Sequence, residues 1–268
     1  MTLKQDQEGI ELDAAVLRKL ERHFDNIAQA YYDIVDSIWY EHGYFHSRES
    51  QFLHASIESK TLFAVDAGCG PGRHTATLAN FAERVIALDI SREMLALARK
   101  VTLSSAAELG FVQADVRHIP IKPAVATLVV NLEVLEHLPG GREGISAALR
   151  ELRRILFPGG KLVTEVPLRL HGYVNLLCPP SLTELQTGVV KSYYERAPLI
   201  VEEYQNDKGI EKQLECQGFS VKMKAYVRVL PSGLIERFPG LVRVDVILER
   251  VPFVRRLARE VMWLVEAV

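Results

Sequence analysis

The chain has 268 residues, 48% of them apolar and 25% charged, with a formal net charge of −2. That balance excludes a disordered chain, which holds fewer apolar residues and more net charge, and the length suits one large domain or one domain with an appendage. No apolar run is long enough to span a bilayer, and the first residues are acidic where a secretion signal is basic and then apolar. Cys69, Cys178 and Cys216 are too few and too scattered for a disulfide framework or a cysteine zinc site, so a cytoplasmic protein with reduced thiols is expected.

The total charge hides an asymmetry. Residues 1–60 carry six Lys/Arg against eleven Asp/Glu, whereas residues 219–268 carry nine against five. Neither end holds a block of like charges of the kind that binds nucleic acid, and no nucleic-acid partner is expected. No internal repeat or low-complexity stretch is present.

In chain order, residues 10–40 repeat apolar and aromatic residues at helical spacing (Ile10, Ala14, Leu17, Leu20, Phe24, Ile27, Tyr31, Ile34, Ile38), which predicts one or two helices ahead of the main fold. From Leu62 the rhythm changes to short continuous apolar runs: LFAVDAG, RVIALDI, GFVQADV, ATLVVNLEV and GKLVTEVP. Between them HTATLANFAE, SREMLALARKV and EGISAALRELRRIL have helical character. Apolar strands alternating with helices predict βαβ units and a parallel sheet covered on both faces, an α/β doubly wound core. After Pro167 the alternation stops until the helix-like DKGIEKQLECQGF; VKMKAYVRVL and EVMWLVEAV then read as two late strands around a long excursion. Periodicity alone does not place those two strands.

The sharpest local feature is Asp66-Ala67-Gly68-Cys69-Gly70-Pro71-Gly72, where the first strand turns into a helix. Glycines there permit positive φ and let a ligand approach the main chain with no Cβ in the way, while free amides at the helix start attract polar groups. The second strand ends at Asp89, placed to accept from both hydroxyls of a ribose. The third ends at Asp115-Val116 and the fourth at Asn131-Leu132-Glu133. Ligands of such sheets bind beyond the carboxyl ends of the strands, so these positions converge on one crevice. A nicotinamide dinucleotide fold is disfavoured: its fingerprint places the third glycine three residues after the second, and here Arg73 stands there. A carboxylate leading the loop also suits an ammonium better than a pyrophosphate.

Taken in order, VDAGCGPG, LDISREML, ADVRHIP, EVLEHL and RILFPGGKL resemble a class I S-adenosylmethionine-dependent methyltransferase, of the broad group that includes ubiquinone and menaquinone biosynthesis methyltransferases. The resemblance covers Leu62 to Pro167. It implies a Rossmann-like seven-stranded, mostly parallel sheet whose last strand is antiparallel, with a helical N-terminal cap over residues 1–60 and a methyltransferase domain over residues 61–268. Within that domain a cofactor half (62–167), a substrate-facing insertion (168–216) and final strands with their excursion (219–268) are expected. It also implies that Asp66 and Gly68, Cys69, Gly70 and Gly72 cradle the methionine end of S-adenosyl-L-methionine and that Asp89 holds the ribose. Ile90 would flank the adenine, Asp115 with Val116 would meet its amino group, and the Asn131 backbone would lie near the methionine ammonium. The chain departs from the group before the fourth strand, where IPIKPAVAT lacks the usual acidic turn.

Methyl transfer is an in-line displacement that relies on positioning, with a base where an acceptor proton must leave. His137, with Glu133 beside it, is the candidate catalytic pair; His171 is a weaker second. Asn131-Leu132-Glu133-Val134 lacks the Asn/Asp-Pro-Pro-aromatic signature of exocyclic amine methylation. Asp115 and Glu133 alone do not form the carboxylate cluster of metal-assisted chemistry, and His42, His46 and His54 lack a fourth zinc ligand nearby, so no metal is expected. In the aromatic front segment, Arg48 or Tyr44 is placed to reach the methionine carboxylate. The basic, apolar excursion near the end reads as a roof over the acceptor pocket or a homodimer contact in preference to a peripheral membrane contact. The expected acceptor is a small organic molecule, apolar or isoprenoid, methylated on oxygen or carbon; RNA or protein methylation and a non-catalytic adenosylmethionine-binding module are the rivals.

Overall fold

The computed structural model describes residues 2–37, 41–57, 60–168 and 206–268. Two helices, α1 (Thr2–Ser37) and α2 (Glu41–Ser56), lead into β1 (Thr61–Ala67). The alternating part follows: α3 (Arg73–Leu78), β2 (Ala82–Asp89), α4 (Arg92–Val101), β3 (Glu108–Gln113), β4 (Ala126–Asn131), a 3-10 turn at Leu135–His137, α5 (Gly141–Ile155) and β5 (Leu156–Pro167). The chain then describes α6 (Asp207–Cys216), β6 (Phe219–Val227), the short helices α7 (Ser232–Arg237) and α8 (Val242–Leu248), and β7 (Glu260–Ala267).

The sheet order is β3-β2-β1-β4-β5-β7-β6. Pairings among β1 to β5 are parallel, and β7 runs antiparallel between β5 and β6. The two late strands therefore complete one seven-stranded sheet. β7 is buried from Glu260 through Val265 without polar alternation, because it has a strand on each edge and packing on both faces.

Helix positions follow from local chemistry. Ser91 caps α4 by accepting from the Met94 amide at 3.1 Å, and the buried face below it is Met94, Leu95, Leu97 and Ala98. α5 buries Ile145, Ala148, Leu149, Leu152 and Ile155, a helical stripe, and leaves its arginines outward. α5 and α6 cover one face of the sheet, packing on Trp263 and Val265 of β7, and Phe52, Leu53 and Leu78 of α2 and α3 cover the other. Two predicted bounds shift. α3 stops at Leu78, where the amides of Ala79, Asn80 and Phe81 donate to the carbonyls of Thr75, Thr77 and Leu78, so NFAE is a turn entering β2. β5 begins at Leu156 because Ala126 pairs with it before an irregularity carries the register on to Leu128 and Lys161.

α1 lies across the carboxyl ends of the strands. Its Phe24, Ile27, Ala28, Tyr31 and Tyr32 pack on Met94 and Leu97 of α4, and Asp25 accepts from the Ser91 hydroxyl at 2.6 Å and the Glu93 amide at 3.2 Å. Among the described residues no helix is long and apolar enough to cross a membrane. Cys69 is a buried free thiol and Cys216 an exposed one, while Cys178 lies outside the described residues.

Candidate cofactor and active site

The loop from β1 to α3 uses its glycines in different ways. Gly68, Gly70 and Gly72 all have positive φ, at +83°, +51° and +93°. A Cβ on Gly72 would sit 2.7 Å from the Ala98 Cα, so this glycine lets α4 pack against the loop. A Cβ on Gly70 would meet nothing within 4 Å. The middle of the loop therefore faces open space at the crevice, where the approach of a ligand to the backbone is unobstructed.

Asp89 ties this loop to the end of β2. Its Oδ2 accepts from the Gly70 amide and its Oδ1 from the Ser91 amide, both at 2.8 Å. Each carboxylate oxygen keeps acceptor capacity for a further donor. Burial raises this carboxyl to about 6, and the two backbone amides pull it back only in part. Asp66 is buried as well and accepts from the Thr75 hydroxyl at 2.5 Å; burial raises it, opposed by His74, Thr75 and Arg73. Burial, with Asp89 and Asp66 nearby, pushes the Cys69 thiol up, so it is a packing group and not a nucleophile.

The other expected cofactor positions line up along the strand ends. Ile90 is half-buried and its carbonyl accepts from Gln113 at 3.1 Å. Asp115 is gripped by Arg117, whose Nε lies 3.2 and 3.0 Å from its two oxygens, and Val116 is buried in the core. The Asn131 side chain is pinned inward, donating to the Ala67 carbonyl at 2.7 Å, which fixes the strand end from which Glu133 follows.

Glu133 has φ +55°, a left-handed conformation that a non-glycine residue adopts at some cost. Its Oε2 accepts from Arg73 at 3.0 Å and from the Tyr31 hydroxyl at 3.2 Å, so α1, α3 and β4 meet there. The Arg73 guanidinium also reaches Glu49 of α2 at 2.9 Å, and His74 lies 3.1 Å from the same carboxylate. Burial lowers the Arg73 pKa, but Glu49 and Glu133 more than offset it, so the guanidinium stays charged. Glu165, near the end of β5, is the third carboxylate: one oxygen from each of Glu49, Glu133 and Glu165 lies within 4.8 Å of the others. Burial and the surrounding glutamates push Glu165 well above the usual carboxylate range, which favours its neutral form. The carboxylate cluster that the sequence offered no reason to expect is therefore present, with Arg73 already supplying a cation to two of its three members.

His137 lies on the 3-10 turn after β4, edge-on to Phe24 with ring centroids 5.6 Å apart, and 4.0 Å from Glu136. α2 turns Arg48 toward Glu249 and Gln51, while Glu49 is the residue it brings to the start of α3. His54 bonds to the Ser50 carbonyl at 2.6 Å and packs edge-on against Phe81. The side chains of Tyr44, His42 and His46, and residue His171, lie outside the described residues. Sequence reading missed Glu49, Arg73 and Glu165; the one available signal was Arg73 itself, directly after the glycine loop.

Arg73 should be the structural keystone of this cluster. Replacing it by Met leaves Glu49 with His74 alone and Glu133 without its cation, with an expected cost of about 3 kcal/mol. A lower urea midpoint, with early proteolytic cutting of α2, checks this.

Residues 65–164 match a family model described as a methyltransferase domain. A probable S-adenosylmethionine-dependent methyltransferase of Mycolicibacterium smegmatis is 30% identical over 147 residues, 52% of each chain. The chain contains a methyltransferase domain, similar to that of a relative named as S-adenosylmethionine-dependent. A ubiquinone biosynthesis O-methyltransferase of Nitrosococcus oceani is 31% identical to it over 110 residues, 41% of this chain and 44% of that one. The chain thus spans about half the length of these curated relatives. The methyltransferase fold extends further than the matched stretch. A Synechocystis magnesium protoporphyrin IX methyltransferase, solved with bound S-adenosylhomocysteine, superposes with a TM-score of 0.61 over 94% of this chain and 100% of its own, at 17% identity.

Proposed function

We propose that the chain transfers a methyl group from S-adenosylmethionine to a hydroxyl or carbon of a small organic acceptor. The observation that carries the reading is the glycine loop: its middle opens onto free space at Gly70 while the buried Asp89 carboxylate stands beside it. The loop amides are already engaged, Gly68 and Cys69 donating to the Leu88 carbonyl, Gly70 to Asp89 and Gly72 to Cys69, so the free amides expected from the sequence are not offered. What fits the cofactor is close approach to a glycine backbone next to a carboxylate that can accept from two vicinal hydroxyls. Asp66, Gly68, Cys69, Gly70, Gly72 and the Asn131 backbone would hold the methionine end, and Asp89, Ile90, Asp115 and Val116 the adenosine.

Bound S-adenosylmethionine supplies an electrophilic methyl on its sulfonium sulfur. What this chain adds is position and a place for the acceptor's proton. His137 and Glu133 follow β4 at the edge of the crevice, and His137 is our candidate for the base that takes a hydroxyl proton as the methyl arrives. Glu133 is committed to Arg73 and Tyr31, so its part is to orient the site. The helical front and residues 168–216 would select the acceptor. Two relatives named as O-methyltransferases, for ubiquinone biosynthesis and for malonyl-[acyl-carrier protein], support oxygen as the methylated atom.

The test is transfer of labelled methyl into a cell extract separated into lipid, small-molecule, RNA and protein fractions. Label is expected in the first two, and His137→Ala is expected to lower the rate about 10²-fold with cofactor affinity unchanged. Label confined to RNA or protein overturns the acceptor class; cofactor binding with no label in any fraction overturns catalysis.

A further inference from the structure

The excursion between β6 and β7 carries an amphipathic pattern turned inside out. Residues 231–259 hold six arginines against Glu236, Asp245 and Glu249. Asp245 is fully buried, accepting from the Val229 and Leu230 amides at 2.9 and 2.7 Å. Glu249 is buried too, accepting from the Arg228 amide at 3.0 Å and from Arg48. Asp245 on α8 and Glu249, the residue that ends it, stand one turn apart on the inner side. The outer side of the same helix presents Val244 and Ile247, the latter 63% exposed, with exposed Arg243 and Arg250 at its two ends.

The same pairing of apolar and cationic groups continues on either side. Phe238, 52% exposed, has the Arg237 guanidinium 5.8 Å from its ring centre. Phe253, at 84% the most exposed large apolar side chain among the described residues, precedes the exposed Arg256 and Leu257. Five of the thirteen exposed large apolar side chains among the described residues fall within the 20 residues 238–257. A helix that spends its carboxylates on buried backbone amides and leaves isoleucine in water is shaped for an apolar environment bordered by negative charge.

We propose that residues 237–257 form a docking face for an anionic lipid surface, with Phe238, Ile247 and Phe253 entering the interfacial layer and Arg237, Arg243, Arg250 and Arg256 meeting lipid phosphates. A bilayer is favoured over the same face of a second copy because both acids are buried, so an isologous contact would set arginine face against arginine face. The face is built from the excursion alone and stands whether or not the crevice transfers methyl groups.

The experiment is co-sedimentation of the full chain with vesicles of phosphatidylcholine alone and of phosphatidylcholine mixed with phosphatidylglycerol, at low and physiological salt. Binding to the anionic vesicles is expected, weakened by salt and far weaker on the neutral ones. Arg243→Gln with Arg250→Gln should lower the partition coefficient about 25-fold, at roughly fivefold per arginine. Phe253→Ser should lower it about tenfold. All three positions are exposed, so the melting midpoints should match the parent's and any loss of binding is a surface effect. Absence of binding to anionic vesicles by the folded parent overturns the proposal, as does binding that these variants leave intact. Light scattering that shows a dimer abolished by Phe253→Ser overturns it in favour of a second copy.

Discussion

Gly70→Ala is expected to fold normally and lose the cofactor, whereas Gly72→Ala is expected to lose stability. The two glycines stand two residues apart in one loop, both with positive φ, yet their surroundings differ completely. At Gly70 the added methyl enters open space, so the folding cost is the left-handed backbone alone, about 1 kcal/mol. That open space is where the cofactor's methionine part would approach the main chain, and a methyl there should weaken S-adenosylmethionine binding by at least about tenfold, since one displaced contact of 1.4 kcal/mol already has that effect. At Gly72 the methyl would lie 2.7 Å from the Ala98 Cα and 2.8 Å from its Cβ, so α4 must move. Overpacking against a helix backbone together with the φ penalty should cost about 3 kcal/mol, read as a lower melting temperature. Thermal melts and cofactor titrations of the two variants check the pair. Equal loss of stability in both would mean that Gly70 faces protein and that the crevice is not where it has been placed.

Affinity for S-adenosylmethionine should fall as pH drops through about 6. The Asp89 carboxyl stands at about 6 in the ligand-free protein because burial penalises its charge. Its value is raised above that of the unfolded chain, so its contribution to folding stability is complete below pH 3.8 and is lost as pH rises through 6. Binding has the opposite sign. A ribose diol donates two hydrogen bonds and needs the ionised acceptor, so at pH 5 the dissociation constant should be about tenfold larger than at pH 7. Asp89→Asn should weaken binding at pH 7 by about 10²-fold, corresponding to two charge-assisted bonds, and should flatten the pH dependence below 7. The melting temperature of the ligand-free variant should change little, because relief of a buried charge offsets the loss of one backbone acceptor. Calorimetric titrations of parent and variant from pH 5 to 7 test this; a parent affinity that ignores pH would remove Asp89 from the ribose site.

The cofactor half was legible in the chain because its signals are local. The runs at LFAVDAG, RVIALDI and ATLVVNLEV are buried strands with their own punctuation, and Gly68, Gly70, Gly72 and Asp89 sit next to one another in sequence or at the end of the next strand. The Glu49, Arg73, Glu133 and Glu165 cluster has no such signal. Its members lie on α2, α3, the turn after β4 and β5, and only the strand order brings them together. Arg48 drew attention over Glu49 because a cation suits a carboxylate ligand, but one residue along a helix is a 100° turn, and that turn hands Arg48 to Glu249. The final excursion was unreadable for another reason. Its helices are short, and α8 buries acids and exposes apolar residues, so the usual rule for which face points inward gives the wrong answer there.

Calorimetric titration of the purified chain with S-adenosylmethionine, in parallel with NAD, tests the central claim most directly. A crevice built from the Gly70 loop and Asp89 predicts one binding site for S-adenosylmethionine, blocked by S-adenosylhomocysteine and indifferent to NAD. Tight binding of NAD with no heat from S-adenosylmethionine would contradict it.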